Sequence, residues 1–235
     1  LKVNDINIII FVYFFPIVLI NIVNLFYIKF FLKFKFTWKI NLRKTDFFLN
    51  TFNFWLIGIL SSLYIGMDYY FAAHLLELSD INAYHIYSRI FFISFIFYYA
   101  YIQYSSINIS QMYLKDQNKK IRKIIKVSAY IGFIVVTSMF VVVLFLDYTG
   151  LIALITNGIK INIVTLIFAF IYYLIRVMRD VILTIMKCIN EINQLLKVHL
   201  LEIFLALILL NKLTPQYSIK GIFISFALSS TAGLI

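Results

Sequence analysis

The stretch Ile131-Gly132-Phe133-Ile134-Val135-Val136-Thr137-Ser138-Met139-Phe140-Val141-Val142-Val143-Leu144-Phe145-Leu146 decides the fold class. It holds no charged residue and no proline, and its polar positions do not alternate with apolar ones. A membrane-barrel strand alternates over about ten residues. This run does not, and it lies inside a longer apolar stretch, 121–146. A helix of about 20 apolar residues crosses a bilayer core of about 30 Å. In lipid each backbone N–H and C=O must bond within the protein, which a helix achieves by itself.

Working outward from that stretch, comparable runs occupy 6–31, 47–76, 81–111, 160–187, 193–211 and 217–235. The expected fold is therefore all-α, a polytopic membrane helix bundle of seven transmembrane helices. One extra helix and a basic linker, 1–46, precede a six-helix C-terminal lobe, 47–235. A transporter built from two related lobes would supply such a half. The first residue is Leu1 and the last residues lie in an apolar run, so the chain reads as a fragment of a longer protein.

Composition agrees with the runs. Hydrophobic residues make up 63% of the 235 residues and charged residues 13%, with a mean hydropathy of +0.95. A soluble domain carries about 25% charged residues, so there is too little charge here to cover a water-facing surface. One cysteine and three dispersed histidines exclude a disulfide framework and a cysteine- or histidine-based metal site. No nucleotide-binding or hydrolase motif is present, and no cofactor or metal is expected.

The net charge of +11 follows a pattern. Fourteen of the 21 cations fall on one side, in Lys29–Lys44, Lys115–Lys126, Lys187 and Lys197. Only Lys2, Lys160, Lys212 and Lys220 fall on the other. Cytoplasmic loops collect Lys and Arg, so the basic loops belong in the cytoplasm, the first residue outside and the last inside. The charge is thereby explained without nucleic acid.

Three arginines remain within apolar runs: Arg89, Arg176 and Arg179. An ionisable group there needs a cavity or a partner. In the run 160–187, Asn162, Thr165, Tyr172, Arg176, Arg179, Asp180 and Lys187 fall within about a third of the helix circumference. An Arg176–Asp180 pair at i, i+4 could simply neutralise itself, but Arg179 would still need a partner, and Glu202 lies at similar depth in the next run. Asp68 and Arg89 sit at equal distance from a shared outer turn and are expected to meet across a helical hairpin. They form either a structural salt bridge or, at Asp68, a carboxylate that takes a coupling ion. His199, one turn from Glu202, reads as its structural partner.

Three segments, Gly66–Phe71, Arg176–Asp180 and Leu213–Gly221, resemble the bacterial O-antigen and polysaccharide flippases of the multidrug/oligosaccharidyl-lipid/polysaccharide exporter superfamily. Gly66-Met67-Asp68-Tyr69-Tyr70-Phe71 is similar to the opening of their second half. Arg176-Val177-Met178-Arg179-Asp180 resembles the R-x-x-x-D pattern of their tenth helix. Leu213-Thr214-Pro215-Gln216-Tyr217-Ser218-Ile219-Lys220-Gly221 resembles their L-x-P-x-Y-G-I-x-G turn, with Ser218 where the family carries Gly. The resemblance implies helices six to twelve of such a carrier, multi-pass in the bacterial inner membrane. It would flip undecaprenyl-pyrophosphate-linked repeat units by alternating access, driven by an ion gradient, with a polysaccharide polymerase and a chain-length regulator as possible partners. Membrane lipid is the other expected partner. Arg89, Tyr172, Arg176 and Arg179 would bind the anionic substrate; Asp68, Asp180 and Glu202 would couple the ion. The rival readings are a multidrug or cation antiporter of the same superfamily, which should favour acidic cavity residues, and a membrane-embedded polymerase, which should carry a large outer loop.

Overall fold

The computed structural model describes residues 44–152 and 161–234, with side chains from residue 51 onward. The expected helix at 6–31, most of the basic stretch Lys29–Lys44 and Lys160 lie outside the described residues. The unit Phe48–Ile235 is compact in itself. Among the described residues all regular structure is helical, as the apolar runs require. The helices are α1 (Lys44–Leu75), α2 (Leu78–Tyr113), α3 (Asn118–Tyr148), α4 (Ile163–Cys188), α5 (Ile192–Tyr217) and α6 (Ile219–Thr231), closed by a 3₁₀ turn at Ala232–Leu234.

Four of these, α1 from Thr51, α2, α3 and α5, are long and apolar enough to cross a membrane. Helix α4 matches α5 at 26 residues, but it concentrates Arg176, Arg179, Asp180 and Lys187. With 36 residues, α2 would run about 54 Å at 1.5 Å per residue, well beyond a bilayer core. The outer faces are apolar: Phe97 on α2 is 71% exposed, Phe145 on α3 64% and Phe204 on α5 61%. Such a surface fits lipid rather than water.

The turns follow from local chemistry. Asn162 caps α4, its side-chain oxygen accepting from the amides of Val164 at 2.9 Å and Thr165 at 3.3 Å. This satisfies two of the amide donors left open at a helix start. Asn190, at φ +65°, ends α4 in the left-handed conformation that Asn tolerates. Between α5 and α6 the chain reverses at Ser218 alone, at φ +52° and ψ −131°, a region that favours glycine. Gly221 then lies directly on the Leu213 carbonyl of α5, where no Cβ would fit.

Helix α4 is central: it packs against α2, α3 and α6, and α6 packs on α5. The core is aromatic. Phe91 of α2 stacks on Tyr173 of α4 with ring centroids 4.7 Å apart, and Phe226 of α6 meets Tyr64 of α1 edge-on at 5.2 Å. Gly132 of α3 lets α4 approach closely, since a Cβ there would lie 2.5 Å from Val177 Cγ1 and 2.7 Å from the Tyr98 ring. Tyr98 in turn donates to the Val177 carbonyl at 3.1 Å.

Candidate functional site

Midway along α4 the polar stripe opens onto a cavity of about 270 Å³. Helix α4 lines it with Tyr172, Arg176, Arg179, Asp180, Thr184 and Lys187, α1 with Ser61, Tyr64 and Asp68, and α2 with Tyr99 and Gln103; His199 of α5 also reaches it. One face of one helix thus collects its partners from three others. The stripe's far end behaves differently. Asn162 is a helix cap, with its own amide donating to the Tyr87 hydroxyl at 2.7 Å, and Thr165 is buried away from the cavity.

Arg179 and Glu202 form the tightest contact. The guanidinium donates through Nε to Oε1 at 2.5 Å and through Nη2 to Oε2 at 2.6 Å. Its remaining nitrogen, Nη1, donates to Asp180 Oδ1 at 3.0 Å. Glu202 is fully buried and Arg179 only 6% exposed, so neither charge could stay there alone. His199 Nδ1 stands 3.3 Å from Glu202 Oε2, and its Nε2 is 3.3 Å from the Ser61 hydroxyl. The expected Arg179–Glu202 and His199–Glu202 contacts both form, and they tie α1, α4 and α5 together.

Arg176 is held differently. Its Nη1 donates to the Tyr172 hydroxyl at 3.3 Å and its Nη2 to the Tyr99 hydroxyl at 3.2 Å. The guanidinium lies 5.1 Å from the Phe95 ring centroid and 5.9 Å from that of Tyr173. Asp180 Oδ2 is 3.8 Å from its Nε and accepts a closer bond, 2.7 Å, from Tyr99. The i, i+4 pair therefore exists, but it is loose. The strong acceptors of the site belong to Arg179, and Arg176 keeps neutral hydroxyl acceptors and aromatic faces around a charge that looks into the cavity.

The expected Asp68–Arg89 pair does not form. Asp68 Oδ2 accepts from the Tyr84 hydroxyl at 2.6 Å and Oδ1 from the Tyr69 amide at 2.7 Å. Arg89 is exposed and lines no part of the cavity. Equal distance from the shared turn does not fix the face: at 3.6 residues per turn Arg89 lies about 140° around α2 from Tyr84. A second correction concerns charge. The stripe is cationic on α4 alone, yet Asp68 of α1 also lines the cavity and Glu202 of α5 pairs with Arg179, while Lys187 stays without an ion pair among the described residues. Sequence reasoning missed Tyr99 and Thr184. Tyr99 lies one turn before Gln103, but it is one of 17 tyrosines, and nothing in its neighbours marks it.

Among the described residues no cluster of His, Cys, Asp and Glu could hold a metal ion. No protein-family model, curated protein or solved structure matches the chain.

Proposed function

We propose that this chain is part of a carrier that moves an anionic lipid-linked oligosaccharide across a membrane. In that reading it is the seven-helix portion of a bacterial inner-membrane flippase. Its basic loops face the cytoplasm, its first residue faces outward and its cargo is an undecaprenyl-pyrophosphate-linked repeat unit. The observation that carries the reading is the setting of Arg176. A partly buried arginine without a tight carboxylate, aimed into a cavity, offers its fork to a diphosphate with two charge-assisted bonds. Tyr172 and Tyr99 orient that fork. Arg179 belongs to the framework, because its guanidinium is already paired with two carboxylates, Glu202 and Asp180, whereas the close partners of Arg176 are neutral hydroxyls.

Asp68 favours an ion-coupled mechanism. Among the described residues it is the cavity carboxylate with no cation within ion-pair distance, so a proton or Na⁺ is the counter-charge it can take. The same feature favours the second reading, a cation antiporter. Reconstitution separates the two. Vesicles containing the protein should move a fluorescent lipid-diphosphate glycan to the opposite leaflet when an ion gradient is imposed. Efflux of an organic cation without movement of the glycan lipid would establish the antiporter instead.

A further inference from the structure

A second polar cavity, of about 240 Å³, lies where α2 and α4 end and adjoins the first; both are lined by Gln103, Thr184 and Lys187. Ser106, Ser110 and Cys188 complete its polar wall. Lys187 lies 11 residues beyond Arg176, or about 16 Å along the helix. Among the described residues Lys187 forms no ion pair. The cation distribution places this end in the cytoplasm.

The lining has a definite polarity. Ser106 donates to the Gln103 carbonyl at 2.7 Å, Ser110 to the Ser106 carbonyl at 3.1 Å and Thr184 to the Asp180 carbonyl at 2.7 Å. With their protons turned onto their own helices, these hydroxyls offer the cavity lone pairs. The donors left are the Lys187 ammonium and the Gln103 amide. A wall of hydroxyl acceptors around one cation suits a ligand rich in hydroxyl donors that carries one negative group. The volume falls just below the roughly 300–1,000 Å³ of drug-sized sites and accommodates about one sugar ring.

From this lining we infer that the cavity is an entry site for an acidic sugar, a hydroxylated ring bearing a phosphate or carboxylate that pairs with Lys187. The inference rests on the reading of the chain as a glycan carrier: cargo would dock here before reaching Arg176.

Cys188 provides the test. It is the one cysteine of the chain, half-buried at the wall, with its thiol 3.3 Å from the Ser106 carbonyl. In membranes containing the protein, glucose 1-phosphate should slow alkylation of Cys188 by a maleimide, while glucose at the same concentration should not. Lys187→Gln should weaken that protection about tenfold, the loss of one charge-assisted contact. Arg176→Gln should leave it intact even where translocation is lost, which separates this site from the carrier reading. Glucuronate protecting as well as glucose 1-phosphate would identify a sugar carboxylate as an equal source of the charge. Protection by inorganic phosphate alone would overturn the sugar assignment, and protection unchanged in Lys187→Gln would overturn the site. Should Cys188 resist alkylation, equilibrium binding of labelled glucose 1-phosphate to wild type and Lys187→Gln gives the same decision.

Discussion

Arg179 of α4 lies side-on to Glu202 of α5, with Nε and Nη2 donating to the two carboxylate oxygens at 2.5 and 2.6 Å. Arg179 lines the cavity, and Glu202 lies behind it with no exposed surface. The contact follows from the cost of burying either charge alone, and it determines which arginine is left for cargo.

Breaking that pair from one side should be costly. Glu202→Gln alone leaves the guanidinium with Asp180 as its one carboxylate partner and should destabilise the protein by about 3–5 kcal/mol. The combination of Arg179→Gln with Glu202→Gln should recover most of the loss. Thermal unfolding in detergent measures both; a single variant as stable as wild type would show that the pair holds nothing together.

Gly132 gives a packing prediction. Gly132→Ala places a methyl against Val177 and Tyr98 and should destabilise by about 1–3 kcal/mol through overpacking. Gly58→Ala is the control, because nothing lies within 4 Å of a Cβ there. It should be neutral or slightly stabilising through helix propensity. Equal effects of the two would contradict the close α3–α4 approach.

Ser218 combines a strained backbone with a hydrogen bond to Asp80. Ser218→Ala loses the bond and keeps the strain, whereas Ser218→Gly loses the bond and relieves the strain. The glycine variant should therefore be more stable than the alanine variant by about 1–3 kcal/mol. Matching midpoints would mean the reversal is not strained.

Asp68→Asn tests coupling. The carboxamide can still accept from Tyr84, so the variant should fold normally, with an unfolding midpoint close to wild type. Translocation in vesicles should lose its dependence on the imposed ion gradient. An unchanged dependence would move the coupling group elsewhere.

Much of this arrangement was legible in the residues. The unbroken run around Ile131–Leu146 required helices, and the charges of Arg176, Arg179 and Asp180 in an apolar helix required a shared interior face. Glu202 could be paired with Arg179 because depth along a helix can be counted. Facing cannot be counted across a hairpin, since the rotation of α2 is set by its packing on α4 through Phe91, Phe95 and Tyr98, and so Asp68 found Tyr84 rather than Arg89. Nor could charge balance be read from one helix, because the carboxylates opposing the α4 cations arrive from α1 and α5 as well. The left-handed turn at Ser218 was visible only as the place where a resembling family carries Gly.

The division of labour between the two arginines is decided by one comparison of translocation rates per folded protein. The glycan-lipid vesicle assay should be run on Arg176→Gln, Arg176→Lys and the Arg179→Gln, Glu202→Gln double variant. If Arg176 carries the diphosphate, Arg176→Gln should slow transport at least about tenfold, as expected for one lost charge-assisted contact. Lys should restore part of the rate, because a point charge cannot reproduce the fork, and the double variant should run near the wild-type rate. A normal rate in Arg176→Gln, or a transport-dead but well-folded double variant, would contradict the assignment.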